Sequence, residues 1–292
     1  MREVRCVWKN AAELGEGPVW STSDDALWFV DIKGRRVLRF DPKTKTRQSF
    51  QAPDQVSFIL QETDDSFIAG LPGRLARFIP ATGAFDLVVA LESDLPRNRL
   101  NDACIDPAGR LWFGTMDDQE TDPSGVLYCW HGIGAPVPHD QGFVISNGLA
   151  HSPDGRSLYH TDTVQRTIYR FDAAAEGSIF NKQVFIEIEE GAGFPDGTAV
   201  DADGCLWVAL WNGWAVRRYS PRAELLETVK LPCANVTKLA FGGDSLKTAF
   251  ITTAQAGLSR KELGAQALAG SIFAFETEVS GLPPRRIIMA SK

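Results

Sequence analysis

The chain has 292 residues, 44% of them hydrophobic and 23% charged, with a formal net charge of −7; this is the composition of a globular protein long enough to bury a sizeable core. The negative balance and the scattered lysines and arginines exclude nucleic acid and an anionic membrane as natural partners, and no run of about 18 apolar residues is available to cross a bilayer. Residues 1–17 lack the apolar stretch of a secretory signal, and Cys6, Cys104, Cys129, Cys205 and Cys233 are odd in number with no CxxC spacing, so free thiols in a reducing, cytoplasmic setting are expected rather than a disulfide framework or a zinc cluster.

In chain order, a lone strand over residues 4–8 comes first. It is followed by short apolar and aromatic runs at intervals of roughly forty to fifty residues. The runs are Leu27-Trp-Phe-Val-Asp31, Phe67-Ile-Ala-Gly70, Leu111-Trp-Phe-Gly114, Leu158-Tyr-His-Thr161, Leu206-Trp-Val-Ala209 and Ala249-Phe-Ile-Thr252. Most follow a turn signal, such as Asp24-Asp25, Pro107-Ala-Gly109, Pro153-Asp-Gly155 or Asp203-Gly204, where Asp, Pro and Gly favour tight hairpins. Most are followed by a second alternating strand, for example Val37-Leu-Arg-Phe40 or Ile168-Tyr-Arg-Phe171, with the period of two that strands require. Long helical periodicity is nearly absent; residues 255–269 are the best helical candidate and read as a loop insertion. Six such units predict an all-β, six-bladed β-propeller forming a single domain over residues 1–292. The lone strand at 4–8 is expected to complete the last blade beside residues 286–289, closing the ring and removing an edge. A chain that buries its own edges is expected to be a monomer.

Aligning the units on the residue that starts each apolar run exposes one equivalent slot about ten or eleven positions upstream. It holds Glu16 (followed by Gly17), Asn101 (followed by Asp102), Asn147 (followed by Gly148) and Asp196 (followed by Gly197); units two and six carry small hydroxyl residues nearby, around Ser57 and Thr237. Equivalent positions in propeller blades form a ring about the axis, so these side chains converge. Carboxylate and carboxamide oxygens meeting at one point suit a divalent cation such as Ca²⁺, Mg²⁺ or Mn²⁺. Without a cation, Glu16 and Asp196 would repel each other in a desolvated channel. Each Asn-Gly, Asp-Gly or Glu-Gly pair alone would read as a turn; four in register read as a site. There is no GxSxG elbow, no Walker A motif, no GxGxxG and no HExxH among His131, His139, His151 and His160. His151, four residues past the Asn147 slot, is the histidine placed nearest to it, and Trp211 and Trp214 are candidates to wall a pocket.

Seven stretches carry a family resemblance: Leu14-Gly-Glu-Gly-Pro-Val-Trp20, Trp28-Phe-Val-Asp-Ile32, Arg99-Leu-Asn-Asp102, residues 106–116, Ile145-Ser-Asn-Gly-Leu149, Ser152-Pro-Asp-Gly155 and Pro195-Asp-Gly197. With them the chain resembles, over nearly its whole length, the gluconolactonase family that includes senescence marker protein 30 (regucalcin) and the bacterial sugar lactonases. Ala52-Pro-Asp-Gln-Val56 and Asn235-Val-Thr-Lys238 look most like bacterial pentonolactonases of the xylonolactonase type. The resemblance implies one divalent metal ion (Ca, Mn, Zn, Mg or Fe) held by Glu16, Asn147 and Asp196, in agreement with the slot argument. It places substrate contacts on Arg99 and Asn101. A further acidic contact of the animal members falls near Gln119, which is not acidic, so their substrate preference does not transfer.

The implied activity is metal-dependent hydrolysis of an aldonolactone, such as xylono-, arabinono- or gluconolactone, to the aldonic acid. The metal would polarise the carbonyl, and Asp196 or Asp102 would take the proton of the attacking water. Two other readings compete: a hydrolase of other esters or organophosphates on the same scaffold, and a non-catalytic propeller binding protein.

Overall fold

The computed structural model describes residues 2–290. Six four-stranded antiparallel sheets are arranged as a six-bladed β-propeller. The innermost strands of the blades are Gly15–Ser21, Phe58–Thr63, Asn98–Ile105, Ser146–His151, Phe194–Val200 and Val236–Gly242, and each packs against the innermost strand of the next, around to the first. The apolar runs found in the sequence are the second strands, for example Ala26–Asp31 and Leu111–Asp117, and nearly every residue in them is buried. Both faces of these strands pack against neighbouring blades, which is why the runs are continuous rather than alternating. Aromatic side chains fill the gaps: Trp28 meets Phe67 and Phe78 between blades one and two, and Trp207 meets Phe241 and Phe275 between blades five and six.

The turn signals have a specific structural use. Asp201, fully buried, accepts hydrogen bonds from the backbone N–H groups of Asp203 and Cys205, from Trp207 Nε1 at 2.9 Å and from Arg218 Nε at 2.7 Å. Asp106 serves Ala108, Arg110 and Trp112 in the same way. One carboxylate thus shapes the hairpin, anchors the blade's tryptophan and pairs with an arginine, either across the same turn as with Arg110 or from the next strand as with Arg218.

The strand Arg5–Trp8 completes the last blade by pairing with Ile272–Glu276, so the first and last parts of the chain close the ring. Its expected neighbour, residues 286–289, lies elsewhere. The C-terminal segment crosses beneath the axis: Ile287 N–H donates to Gln61 O and Ile288 N–H to Gly109 O, both at 2.9 Å. Residues 286–289 are not needed there, because the last blade already has three strands of its own by Glu276 and takes only one more. Within residues 255–269 a six-residue helix forms, Arg260–Ala265, with a capping box between Ser259 and Glu262. All five cysteines are free thiols; Cys129, Cys205 and Cys233 are buried. No helix among the described residues is long and apolar enough to cross a membrane.

Candidate functional site

The innermost strands are not regular where the slot lies. Pairing with the second strand slips between Glu16 and Val19, Leu100 and Ala103, Asn147 and Ala150, Pro195 and Thr198, and Val236 and Lys238. In the first four, two residues of the inner strand stand opposite one residue of its partner. Such a bulge bends the strand and re-aims a side chain. Here the bulges recur within one residue of the slot in all four strands, and the four chain-distant side chains reach one cavity.

There they line one cavity of about 210 Å³, together with Arg99, Glu120, Lys33, Thr163 and Trp211. Asn101 Nδ2 donates to Asn147 Oδ1 at 3.1 Å and to Ser146 O at 2.8 Å. Asn147 Nδ2 in turn donates to Thr163 Oγ1 at 3.2 Å, and the Thr163 hydroxyl donates to Pro195 O at 2.9 Å. With its amide nitrogen engaged in this way, Asn147 presents its carbonyl oxygen to the interior. Arg99, 3% exposed, donates through Nε to Asp118 at 2.7 Å and through a terminal nitrogen to Asn101 Oδ1 at 2.5 Å. Asp118 also receives Lys33 Nζ at 2.7 Å and Gln55 Nε2 at 3.1 Å, so the guanidinium is held in a fixed frame. The hydroxyls of Ser57 and Thr237 are spent between blades, donating to Leu100 O and Gly15 O.

Glu16 and Asp196 are the electrostatic centre. Both are buried, and among the described residues neither forms an ion pair; Glu16 accepts one bond, from Gly17 N–H at 2.7 Å. Burial, then the nearby Asp102 carboxylate, pushes the Glu16 carboxyl up to about 7. Burial and then the Glu16 charge push Asp196 well above the ordinary carboxylate range. Among the described residues no three His, Cys, Asp or Glu side chains gather round one point; the donors are two carboxylates and two carboxamides. That all-oxygen set, with two carboxylates lacking a cation of their own, fits a divalent ion.

Of the other residues singled out in the sequence, Asp102 does not line this cavity. It faces the other way along the axis and pairs with Lys238 Nζ, while accepting Ala103 N–H at 2.7 Å and Leu149 N–H at 3.3 Å. Gln119 is exposed and accepts from Arg97 at 3.2 Å; it is not part of the cavity wall. The next residue, Glu120, takes that place. Its N–H donates to Asp117 O and its φ is +58°, a turn that sends residue 119 outward and residue 120 to the cavity mouth. Trp211 lines the cavity, whereas Trp214 is 39% exposed outside it. His151 is buried in a second cavity below, and His160 bonds to Ser146 Oγ at 2.7 Å, beneath Asn147. Lys33, Glu120 and Thr163, which line the cavity, and Asp118, which holds Arg99, carried no motif of their own in the sequence; Lys33 immediately follows the Trp28–Ile32 stretch and is the one with a usable signal.

Residues 14–255 match the family described as SMP-30/Gluconolactonase/LRE-like region. The chain is 34% identical over 287 residues to regucalcin from Danio rerio, covering 97% of each chain. It is 32% identical over 280 residues to 6-deoxy-6-sulfogluconolactonase from Pseudomonas putida, covering 95% of this chain and 96% of that one. Among solved structures, regucalcin from Agrobacterium tumefaciens, described as a calcium-binding protein, superposes with a TM-score of 0.94 at 27% identity, covering 98% of each chain. A luciferin-regenerating enzyme superposes with a TM-score of 0.92 at 29% identity, covering 98% of this chain and 99% of that one.

Proposed function

Because the chain belongs to the SMP-30/gluconolactonase/LRE-like family, we propose that it is a metal-dependent sugar lactonase that opens an aldonolactone to the aldonic acid. One observation carries the reading: buried Glu16 and Asp196 face a shared cavity with two carboxamides, next to an arginine held ready for hydroxyl groups. The relative described as a 6-deoxy-6-sulfogluconolactonase supports the lactone class.

A divalent cation (Ca, Mn, Zn, Mg or Fe) held by Glu16, Asn147 and Asp196 would supply Lewis acidity toward the lactone carbonyl oxygen. Asp196 takes the proton as water adds to the carbonyl carbon, and returns it to the ring oxygen when the ring C–O bond breaks. Asp196 is assigned this part over Asp102, whose carboxylate is already committed to Lys238 and two backbone N–H groups. Arg99 and Asn101 orient the sugar through its hydroxyls, and Glu120 stands at the mouth to accept from another. Gln119 has no part in this account.

The test is pH-stat hydrolysis of pentono- and hexonolactones, with spontaneous opening subtracted, after metal stripping and add-back. The stripped protein should lose nearly all enzymatic rate and regain it with a divalent ion. Aldonolactones should be preferred over aryl esters and organophosphates. An absence of chelator-sensitive turnover on every aldonolactone would favour a non-catalytic propeller instead.

A further inference from the structure

Aligned one position beyond the slot, the six innermost strands define a second ring: Gly17, Phe58, Asp102, Gly148, Gly197 and Lys238. In blades one, four and five the residue is glycine because the next blade's backbone passes close by. A Cβ on Gly17 would lie 3.3 Å from Ser57 O, one on Gly148 would lie 2.6 Å from Asp196 O, and one on Gly197 would lie 2.7 Å from Thr237 O and 2.5 Å from Lys238 Cβ. Blades three and six, opposite each other in a ring of six, carry the two charged members of this ring. Their side chains meet: Lys238 Nζ donates to the Asp102 carboxylate and lies 3.4 Å from Ala103 O. Both side chains are at least nine-tenths buried. The bond therefore spans the axis directly beneath the slot ring. Above it is the cavity with Glu16, Asn147 and Asp196; below it is a separate cavity of about 200 Å³ that Asp102 and Lys238 themselves line.

We propose that the Asp102–Lys238 pair is a crossbar that fixes the charge of the axial site, and that Lys238 stands where a second cation would otherwise be drawn. This rests on the metal-site reading given above and deepens it. A buried ion pair adds little stability over apolar packing of the same volume, and in the other blades glycine or Phe58 closes the ring without any charge. What the pair does alter is the electrostatic balance. With Glu16 and Asp196 both ionised on a bound cation, these two carboxylates and Asp102 together with the Lys238 ammonium carry two negative charges between them, which one divalent ion neutralises. Removing Lys238 leaves three, and removing Asp102 leaves one. Lys238 and Asp102 are positioning residues here, acting on the cation without touching substrate.

Equilibrium dialysis of the full-length protein against Mn²⁺ or Ca²⁺ alone, read by elemental analysis, tests this with Lys238→Met, Asp102→Asn and the double variant. The unsubstituted protein should bind one ion. Lys238→Met should bind at least about tenfold more tightly or take up a second ion, and Asp102→Asn should bind at least about tenfold more weakly. The double variant should return to near the original affinity. Misfolding weakens binding in every variant, so opposite signs with mutual compensation are not produced by structural damage. If Lys238→Met does not fold, recovery of the Asp102→Asn loss in the double variant carries the same information. One bound ion in the parent protein with unchanged affinity in the variants, or additive losses in the double variant, would overturn the crossbar alone. No bound ion in the parent protein would overturn the metal site and the crossbar with it.

Discussion

Replacement of Asp196 by alanine is expected to lower kcat on an aldonolactone by roughly a thousandfold or more, since it removes a cation ligand and the proposed base together. The same substitution should leave the fold intact. Asp196 makes no ion pair among the described residues, and its buried carboxyl is pushed well above its ordinary range by burial and by Glu16. A buried carboxylate held above its usual pKa costs stability once the pH exceeds the unfolded-state value, because the unfolded chain then binds fewer protons. In chelator at neutral pH, Asp196→Ala should therefore melt at or above the temperature of the parent protein. Loss of turnover together with an undiminished melting temperature marks a chemical role. A near-normal rate in a metal-replete assay would remove Asp196 from the mechanism.

Gly148→Ala should be the most damaging single-methyl change near the site. Gly148 has φ +53°, and an added Cβ would meet the Thr161 hydroxyl and come within 2.6 Å of Asp196 O. Backbone strain of about 1 kcal/mol and overpacking of about 1–3 kcal/mol act together, which in a chain of 292 residues predicts a fall in melting temperature on the order of 3–7 °C. The two blades pushed apart are those carrying Asn147 and Asp196, so metal affinity should fall as well. Gly83→Ala is the control: its φ is +72° with nothing within 4 Å of the added carbon, so strain alone applies. If calorimetry shows equal shifts for both variants, close packing between blades four and five at the slot is not what requires the glycine.

The repeat architecture was readable because each blade needs the same parts. The apolar runs are continuous because the second strands are buried on both faces, and the Asp and Gly turn signals persist because residues such as Asp106 and Asp201 anchor a tryptophan. The slot was readable for a related reason: a bulge recurs in each of these inner strands within one residue of the slot, immediately after Glu16 and Asn147 and beginning at Asn101 and Asp196, so the four side chains stand close to one alignment column. What was not readable comes from parts that do not repeat. Glu120 reaches the cavity from a loop whose +58° turn is set by local hydrogen bonds to Asp117, and one residue of displacement separates it from Gln119. The C-terminal crossing beneath the axis follows no strand periodicity. Asp102 sits in the column next to the slot, and its partner Lys238 is 136 residues away in the chain. Only closure of the ring brings blades three and six face to face across the axis, which is what turns Asp102 from a candidate base into half of an ion pair.

Anomalous diffraction from crystals grown with Mn²⁺ tests directly whether Glu16, Asn147 and Asp196 hold one cation. A single strong peak is expected on the propeller axis, roughly 2.0–2.6 Å from side-chain oxygens of Glu16, Asn147 and Asp196. Density with those three side chains turned away from one another, or with the only ion bound elsewhere, would contradict it.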